Sequence, residues 1–429
     1  MASPRAVVNP RRLLPVAAMG QSFPALWGGS TASNLADGIF QVTLPLLAVS
    51  LTGSPASVAG VTFALTLPWL VFALLAGALV DRLDRRQTMV AANLLRAAAI
   101  GVLVVAVALD VVTLPVVYLA AFALGAAETF ADTAAQAILP SVVAGVQLEG
   151  ANARLLGAQT VANGFIGPPL GGALAGIGIA LAMGTSAALY LVAAGTLLLL
   201  RGAFRPAQTV ERRLRAEIGE GLRFLWGHAL LRTLALIVFV MNLGWAAWMS
   251  VLVLYAVAPG PMGLSSFGYG LLLTAIGIGG VIGTIVAVPA MRLLGRRWAI
   301  GVDILGTIAM VGMPALTANP WLVGAAAVVG GVGATMWGVV VTSVRQQAVP
   351  DALLGRVSSA FRLCGFGAFA IGSLLAGGIA EVAGLRAVFA VCGGLSLFLF
   401  LPFFAVVTDQ ALAAGRQTSP GRAGRGEVG

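Results

Sequence analysis

The residues of this sequence that could do chemistry are few, and most lie inside long apolar runs. Asp37 is flanked by Asn34 at i−3 and Gln41 at i+4, so the three share one stripe of a helix. Glu128, Asp132 and Gln136 fall at i, i+4 and i+8, again one helical face. Arg96 is the basic residue set within an apolar run. An ionised side chain at the centre of a bilayer costs about 2.5–3.5 kcal/mol on insertion scales, so each needs a partner or a task. One arginine cannot neutralise three acids, and at least one carboxylate is expected to take up and release a proton. Asp37 leads: it lies about 18 Å into its run at 1.5 Å per residue, with no basic neighbour on its own helix. Arg96 reaches a depth between those of Asp132 and Glu128, which favours a pair with one of them. Asp303, near the start of a later run, is expected to pair with a loop arginine.

Other chemistries are excluded by what is missing. The 429 residues include one histidine, His228, and two cysteines, Cys364 and Cys392, both within apolar runs. Neither a metal cluster, a disulfide framework nor a nucleophile–histidine pair can be assembled from these. The reading is therefore not an enzyme, and no cofactor is expected. All 25 basic residues are arginine, so the chain has no P-loop lysine and no nucleotide-driven motor of its own. Uphill work must draw on an ion gradient, most simply protons.

The elements that position these residues follow from composition. The chain is 59% hydrophobic and 9% charged, where a soluble domain carries about a quarter charged residues. Such a surface faces lipid, where backbone groups must bond internally and runs of about twenty residues form helices. Twelve runs are read, at 25–50, 57–80, 88–108, 114–138, 152–177, 180–200, 229–257, 267–289, 297–317, 320–344, 356–380 and 385–408. The division expected is a segment 1–24, a six-helix bundle 25–200, a linker 201–228, a second bundle 229–408 and an unstructured tail 409–429. Within the linker, Val210, Leu214, Ile218, Leu222 and Leu225 recur at helical spacing, as in an amphipathic helix lying on the membrane face. With an even number of spans, twenty-three of the 25 arginines fall on the side of the termini, which puts both termini in the cytoplasm of a multi-pass inner-membrane protein. This scatter among short loops also explains the net charge of +10 without a nucleic-acid partner. The halves echo one another at an offset of about 210: Arg85-Arg86 with Arg296-Arg297, Gln136 to Pro140 with Gln346 to Pro350, Gly171-Gly172 with Gly377-Gly378. A repeated six-span unit suits a central site between two rocking bundles.

Two local motifs add a family resemblance. After the second run stand Gly77, Asp81, Arg82, Arg85 and Arg86, similar to the signature between helices two and three of the major facilitator superfamily, with Asp84 where a second glycine is usual. On the fifth run, Gly167, Pro168, Gly171 and Gly172 resemble the antiporter motif of its drug-exporting branches. The chain resembles the drug/proton antiporters and enterobactin-type exporters along nearly its whole length. This implies an all-α fold of twelve transmembrane helices in two pseudo-symmetric bundles, and alternating access for export of amphipathic, drug-like molecules or secondary metabolites. Siderophore export, solute uptake and a transport-dead sensor are the alternatives. It also implies a cytoplasmic gate at the first motif and a monomer. Helices one, four, seven and ten would line the cavity, which adds Asn242, Trp245, Trp248, Met249, Met336 and Trp337 to Gln136 and, on the fifth span, Asn163. One departure stands out: the arginine that many antiporters carry on helix four would fall near Ala121, which leaves Arg96 as the buried candidate.

Overall fold

The computed structural model describes residues 16, 20, 22–80, 82–202, 204–205 and 214–414, and among them the chain is helical throughout its apolar runs. The helices are α1 (Phe23–Leu51), α2 (Pro55–Val80), α3 (Arg85–Ala108), α4 (Leu114–Val142), α5 (Leu148–Gln159), α6 (Gly167–Ile177), α7 (Ile179–Leu198), α8 (Leu214–Gly227), α9 (Ala229–Ala256), α10 (Ser266–Leu316), α11 (Pro320–Ala348), α12 (Asp351–Ala383), α13 (Leu385–Leu397), α14 (Phe400–Val406) and α15 (Asp409–Ala414). Among the described residues, ten helical stretches are long and apolar enough to cross a membrane. Two local features raise this to twelve. The 51 residues of α10 are two spans meeting at Gly295, whose φ of 82° lies in the left-handed region that favours glycine. The fifth span is α5 and α6 joined by a π-helical segment, Thr160–Ile166. Pro168 and Pro169 have no N–H to continue the i→i−4 ladder, and the chain widens ahead of them, with Gly167 N–H reaching back to Ala162 O.

Helix ends obey local rules. Asp84 caps α3 by accepting from Gln87 N–H at 3.0 Å, so the residue that replaces the usual glycine is a working N-cap. Arg85 then donates to Ala137 O at the end of α4 (2.9 Å) and Arg86 to Leu198 O at the end of α7 (2.8 Å). Both cations meet carbonyls at helix C-termini, where the helix dipole favours positive charge. In the second half Arg296 instead meets a side chain, donating to Gln347 Oε1 of α11 at 3.1 Å.

Helices α1 to α7 form one six-span bundle, and α9 to α14 the other. The two bundles meet chiefly at the end of the molecule away from the termini. There the Ser54 hydroxyl and Ala56 N–H, at the start of α2, donate to the Glu381 carboxylate on α12 at 3.1 and 3.3 Å. Gly377 of α12 packs on Ala56 and Ala59, and further in Trp69 stacks on Phe366 with ring centroids 4.5 Å apart.

The described part of the linker, α8, also packs on protein: Leu225 is fully buried, Gly221 touches the backbone of Arg356, and Glu220 pairs with Arg356. Val210 lies outside the described residues.

Candidate functional site

The deep polar residues converge in the first bundle. Arg96 on α3 is 2% exposed, and its Nη1 lies 3.4 Å from Asp37 Oδ1 on α1. The same nitrogen donates to Ser33 Oγ at 3.1 Å, one turn back along α1. Ser33 in turn donates to Asn93 Oδ1 at 3.1 Å on α3, whose amide is held by Met89 O. Tyr190 on α7 donates its hydroxyl to Asp37 Oδ1, and the Arg96 guanidinium lies over the Tyr190 ring, 5.3 Å from its centroid. Glu128 and Asp132 on α4 lie within electrostatic range of both Arg96 and Asp37. One buried cation thus stands among three carboxyl groups from two helices, with a phenol capping the first.

This arrangement corrects the pairing read from depth. Arg96 was expected opposite Glu128 or Asp132, and its ion-pair partner is Asp37. Depth along a helix sets level but not direction, and the α3 face bearing Arg96 turns toward α1 and α7. Tyr190, Ser33 and Asn93 were missed in the sequence. A tyrosine or serine within an apolar run carries no signal by itself; the available clue was that Arg96 has more donors than a single carboxylate can accept. Asp303 also differs from expectation. It is 2% exposed, and its Oδ1 has no hydrogen-bond partner and no loop arginine. Loop arginines of the second bundle turn elsewhere, Arg296 to α11 and Arg297 over the rings of Phe403 and Phe404.

The remaining candidates fall into groups. Asn34 donates to Ser30 O on its own helix at 2.8 Å, while Gln41 and Asn163 are half-buried and Gln136 is exposed. On α9, Asn242 donates to Gly365 O of α12 at 3.0 Å, and Trp245 and Met249 are half-buried. Trp248 is fully buried, Met336 is 2% exposed and Trp337 9% exposed. These three are packing residues in this conformation rather than cavity lining: bulky apolar side chains at helix–helix contacts leave no surface to offer a ligand. Of the first motif, Asp81 lies outside the described residues, Arg82 is exposed, and Gly77 has open space where a Cβ would stand.

The second motif sits beside the site. A Cβ at Gly167 would stand 2.6 Å from the Cα of Gly38, the residue after Asp37, and one at Gly171 would stand 2.7 Å from Ile39 O. On its other side the same helix meets α10: Gly172 touches Ser266 and Phe267, the Pro168 carbonyl faces Gly270, and Gly164 faces Gly277. Glycines here permit backbone-to-backbone approach between membrane helices. Helix α6 is therefore wedged between the Asp37 helix and the opposite bundle.

Twelve spans in two echoing bundles, with a buried, charged cluster inside the first, define a membrane transporter of the major facilitator fold. The chain belongs to the transmembrane secretion effector family, which it matches over residues 15–416. It is similar to the multidrug efflux pump Tap of Mycolicibacterium fortuitum, 33% identical over 383 residues that cover 86% of this chain and 90% of the relative. The multidrug efflux pump Tap of Mycobacterium tuberculosis is 32% identical over 382 residues, covering 84% and 88%. Solved structures share the fold: the nucleoside transporter NupG has a TM-score of 0.71 at 15% identity, covering 89% of this chain and 98% of its own. A bacterial homologue of the iron transporter ferroportin, in an inward-facing state, has a TM-score of 0.70 at 17% identity, covering 89% and 97%.

Proposed function

We propose that this protein is a multidrug-type efflux pump of the inner membrane that exports amphipathic, drug-like molecules in exchange for protons. The observation that carries the reading is the likeness to Tap pumps over more than four-fifths of the chain, with a carboxylate cluster at the level of the Asp37 helix. The likeness supports substrate class and direction; the cluster supports the coupling. Asp37 and a span-four acid, Glu128 or Asp132, take turns holding a proton, with Arg96 as a counter-ion that can shift between them. A cationic or amphipathic substrate competes for the same negative charge. Both termini face the cytoplasm, in keeping with the arginine placement, so that the contacts of Ser54 and Ala56 with Glu381 close the bundles on the outer side.

The test is export from cells lacking their own drug pumps. Expression is expected to lower accumulation of a fluorescent amphipathic cation severalfold, and a protonophore is expected to restore it. Unchanged accumulation across a panel of cationic and neutral dyes would remove the efflux reading. Reporter fusions at residue 215 and at the C-terminus should both register cytoplasm, and an external signal at either would reverse the orientation.

A further inference from the structure

We propose that Asp303 is a second proton-carrying site, built into the second bundle and separate from the Asp37 cluster. Asp303 lies in the second limb of α10, eight residues past Gly295, and is 2% exposed. Its Oδ1 is buried without a partner, and one turn on, Thr307 Oγ1 is buried without a partner as well, the residue being 0% exposed. The two lie at i and i+4, on one face of the helix. That face meets α11 through glycines: a Cβ at Gly333 would stand 2.8 Å from Asp303 Oδ1, and one at Gly306 would stand 2.8 Å from Val329 O. Here helix packing depends on absent side chains, and a carboxyl group is sealed into it.

An unpaired carboxylate is not stable in such a place; it must be paired or carry its proton. Among the described residues no charged or polar group stands within hydrogen-bond distance of its Oδ1. Within α10, Arg297 lies six residues back, over Phe403 and Phe404. From α11 the nearest titratable side chain along the helix is Arg345, twelve residues beyond Gly333, which lies over Phe361. The segment α13 presents Cys392 beside the Gly393–Gly312 contact, nine residues further along α10. On α9, Arg232 donates to Trp226 O and Tyr255 to Thr317 O at the opposite end, and α15, which also meets α10, brings only the acid Asp409. Asp303 therefore holds a proton in this conformation. When α11 slides or tilts against α10, the seam at Gly333 opens, water reaches the carboxyl, and the proton passes to it; closing the seam reverses the exchange. At the offset relating the halves, Asp303 corresponds to Asn93, which braces Ser33 beside Arg96. The two bundles thus place different polar groups at one equivalent position, a neutral brace in the first and a proton carrier in the second.

The inference stands apart from the Asp37 scheme, and the experiment separates them. Purified wild type, Asp303→Asn and Asp37→Asn are reconstituted in lipid nanodiscs and followed by infrared difference spectroscopy. Wild type should show a protonated-carboxyl carbonyl band that shifts in deuterium oxide and is lost in Asp303→Asn but kept in Asp37→Asn. A band unchanged in Asp303→Asn overturns the proposal. Asparagine is isosteric with the neutral acid, so Asp303→Asn should melt at the wild-type temperature at neutral pH. A clear fall in melting temperature would mean that an ionised Asp303 had lost a favourable partner, which also overturns it. If the Asp303 band is present while Asp37→Asn still exports in a proton-coupled manner, the Asp37 scheme fails and this one stands.

Discussion

Asp37→Asn is expected to abolish export against a gradient and, at the same time, to loosen the fold. The transport effect follows from energetics. One charge moving through 100 mV supplies about 2.3 kcal/mol, enough for roughly fiftyfold accumulation, and a variant in which the Asp37 step of the exchange is broken should accumulate substrate about onefold. The structural effect follows from the pairing of Asp37 with Arg96. Removing one partner of a buried ion pair leaves the other charge uncompensated, and such losses run about 3–5 kcal/mol. Asp37 keeps 23% side-chain exposure and an asparagine oxygen can still accept from Tyr190, so the low end, about 3 kcal/mol, is expected. The double variant Asp37→Asn/Arg96→Gln removes the stranded charge with its partner. It should recover thermal stability without recovering export. Proteoliposomes with an imposed pH gradient, together with thermal unfolding of the same preparations, separate the two effects. Full proton-coupled export by both Asp37→Asn and Glu128→Gln would end the coupling scheme.

The second large effect concerns adjacent glycines that do different work. Gly172→Val puts branched carbons against the Ser266 and Phe267 backbone, across the interface between bundles. The bundles then cannot close at the end away from the termini, and export should fall at least tenfold with normal expression and insertion. Gly171→Val instead strikes Ile39 within the first bundle, where a Cβ already stands 2.7 Å from the carbonyl oxygen. Overpacking of this kind costs about 1–3 kcal/mol, and more where backbone rather than a flexible side chain must yield. Its signature should be reduced stability and yield, with the two bundles still able to meet. Cysteine cross-linking between the start of α2 and the end of α12 reports the difference: lost in Gly172→Val, retained in whatever Gly171→Val protein folds. Equal cross-linking and equal export in both variants would show that neither contact matters to the cycle.

The wedge of α6 connects these two predictions. Gly38 and Ile39 lie directly after Asp37, and they are the residues against which Gly167 and Gly171 pack. A change in charge at Asp37 that shifts α1 is felt by α6, and through Gly172, Pro168 and Gly164 by α10. The proposed site of proton exchange and the surface between the bundles are thus one helix apart.

What the sequence by itself determined was the set of elements and the levels of their polar residues. A lipid-facing chain has no alternative to helices near twenty residues long, so composition and run length were enough for the twelve spans, and the repeats at an offset of about 210 were enough for two halves. Even the break within α10 was legible, because Gly295 precedes two arginines at the end of an apolar run. Only the tertiary structure decided which residues face one another. The lipid-facing and the packed faces of a membrane helix are both largely apolar, so periodicity, which marks the inner face of a soluble helix, says little about direction here. Arg96 therefore turned to Asp37 and not to the acids at its own level. Tyr190 joined from a helix with no sequence signal, and Trp248, Met336 and Trp337 went into packing. The same ambiguity hid Asp303: its level suggested a loop arginine, but glycines on α11 drew the two helices close enough to seal it away. Glycine spacing is visible in a sequence, whereas the neighbour that exploits it is chosen by the packing of the whole bundle.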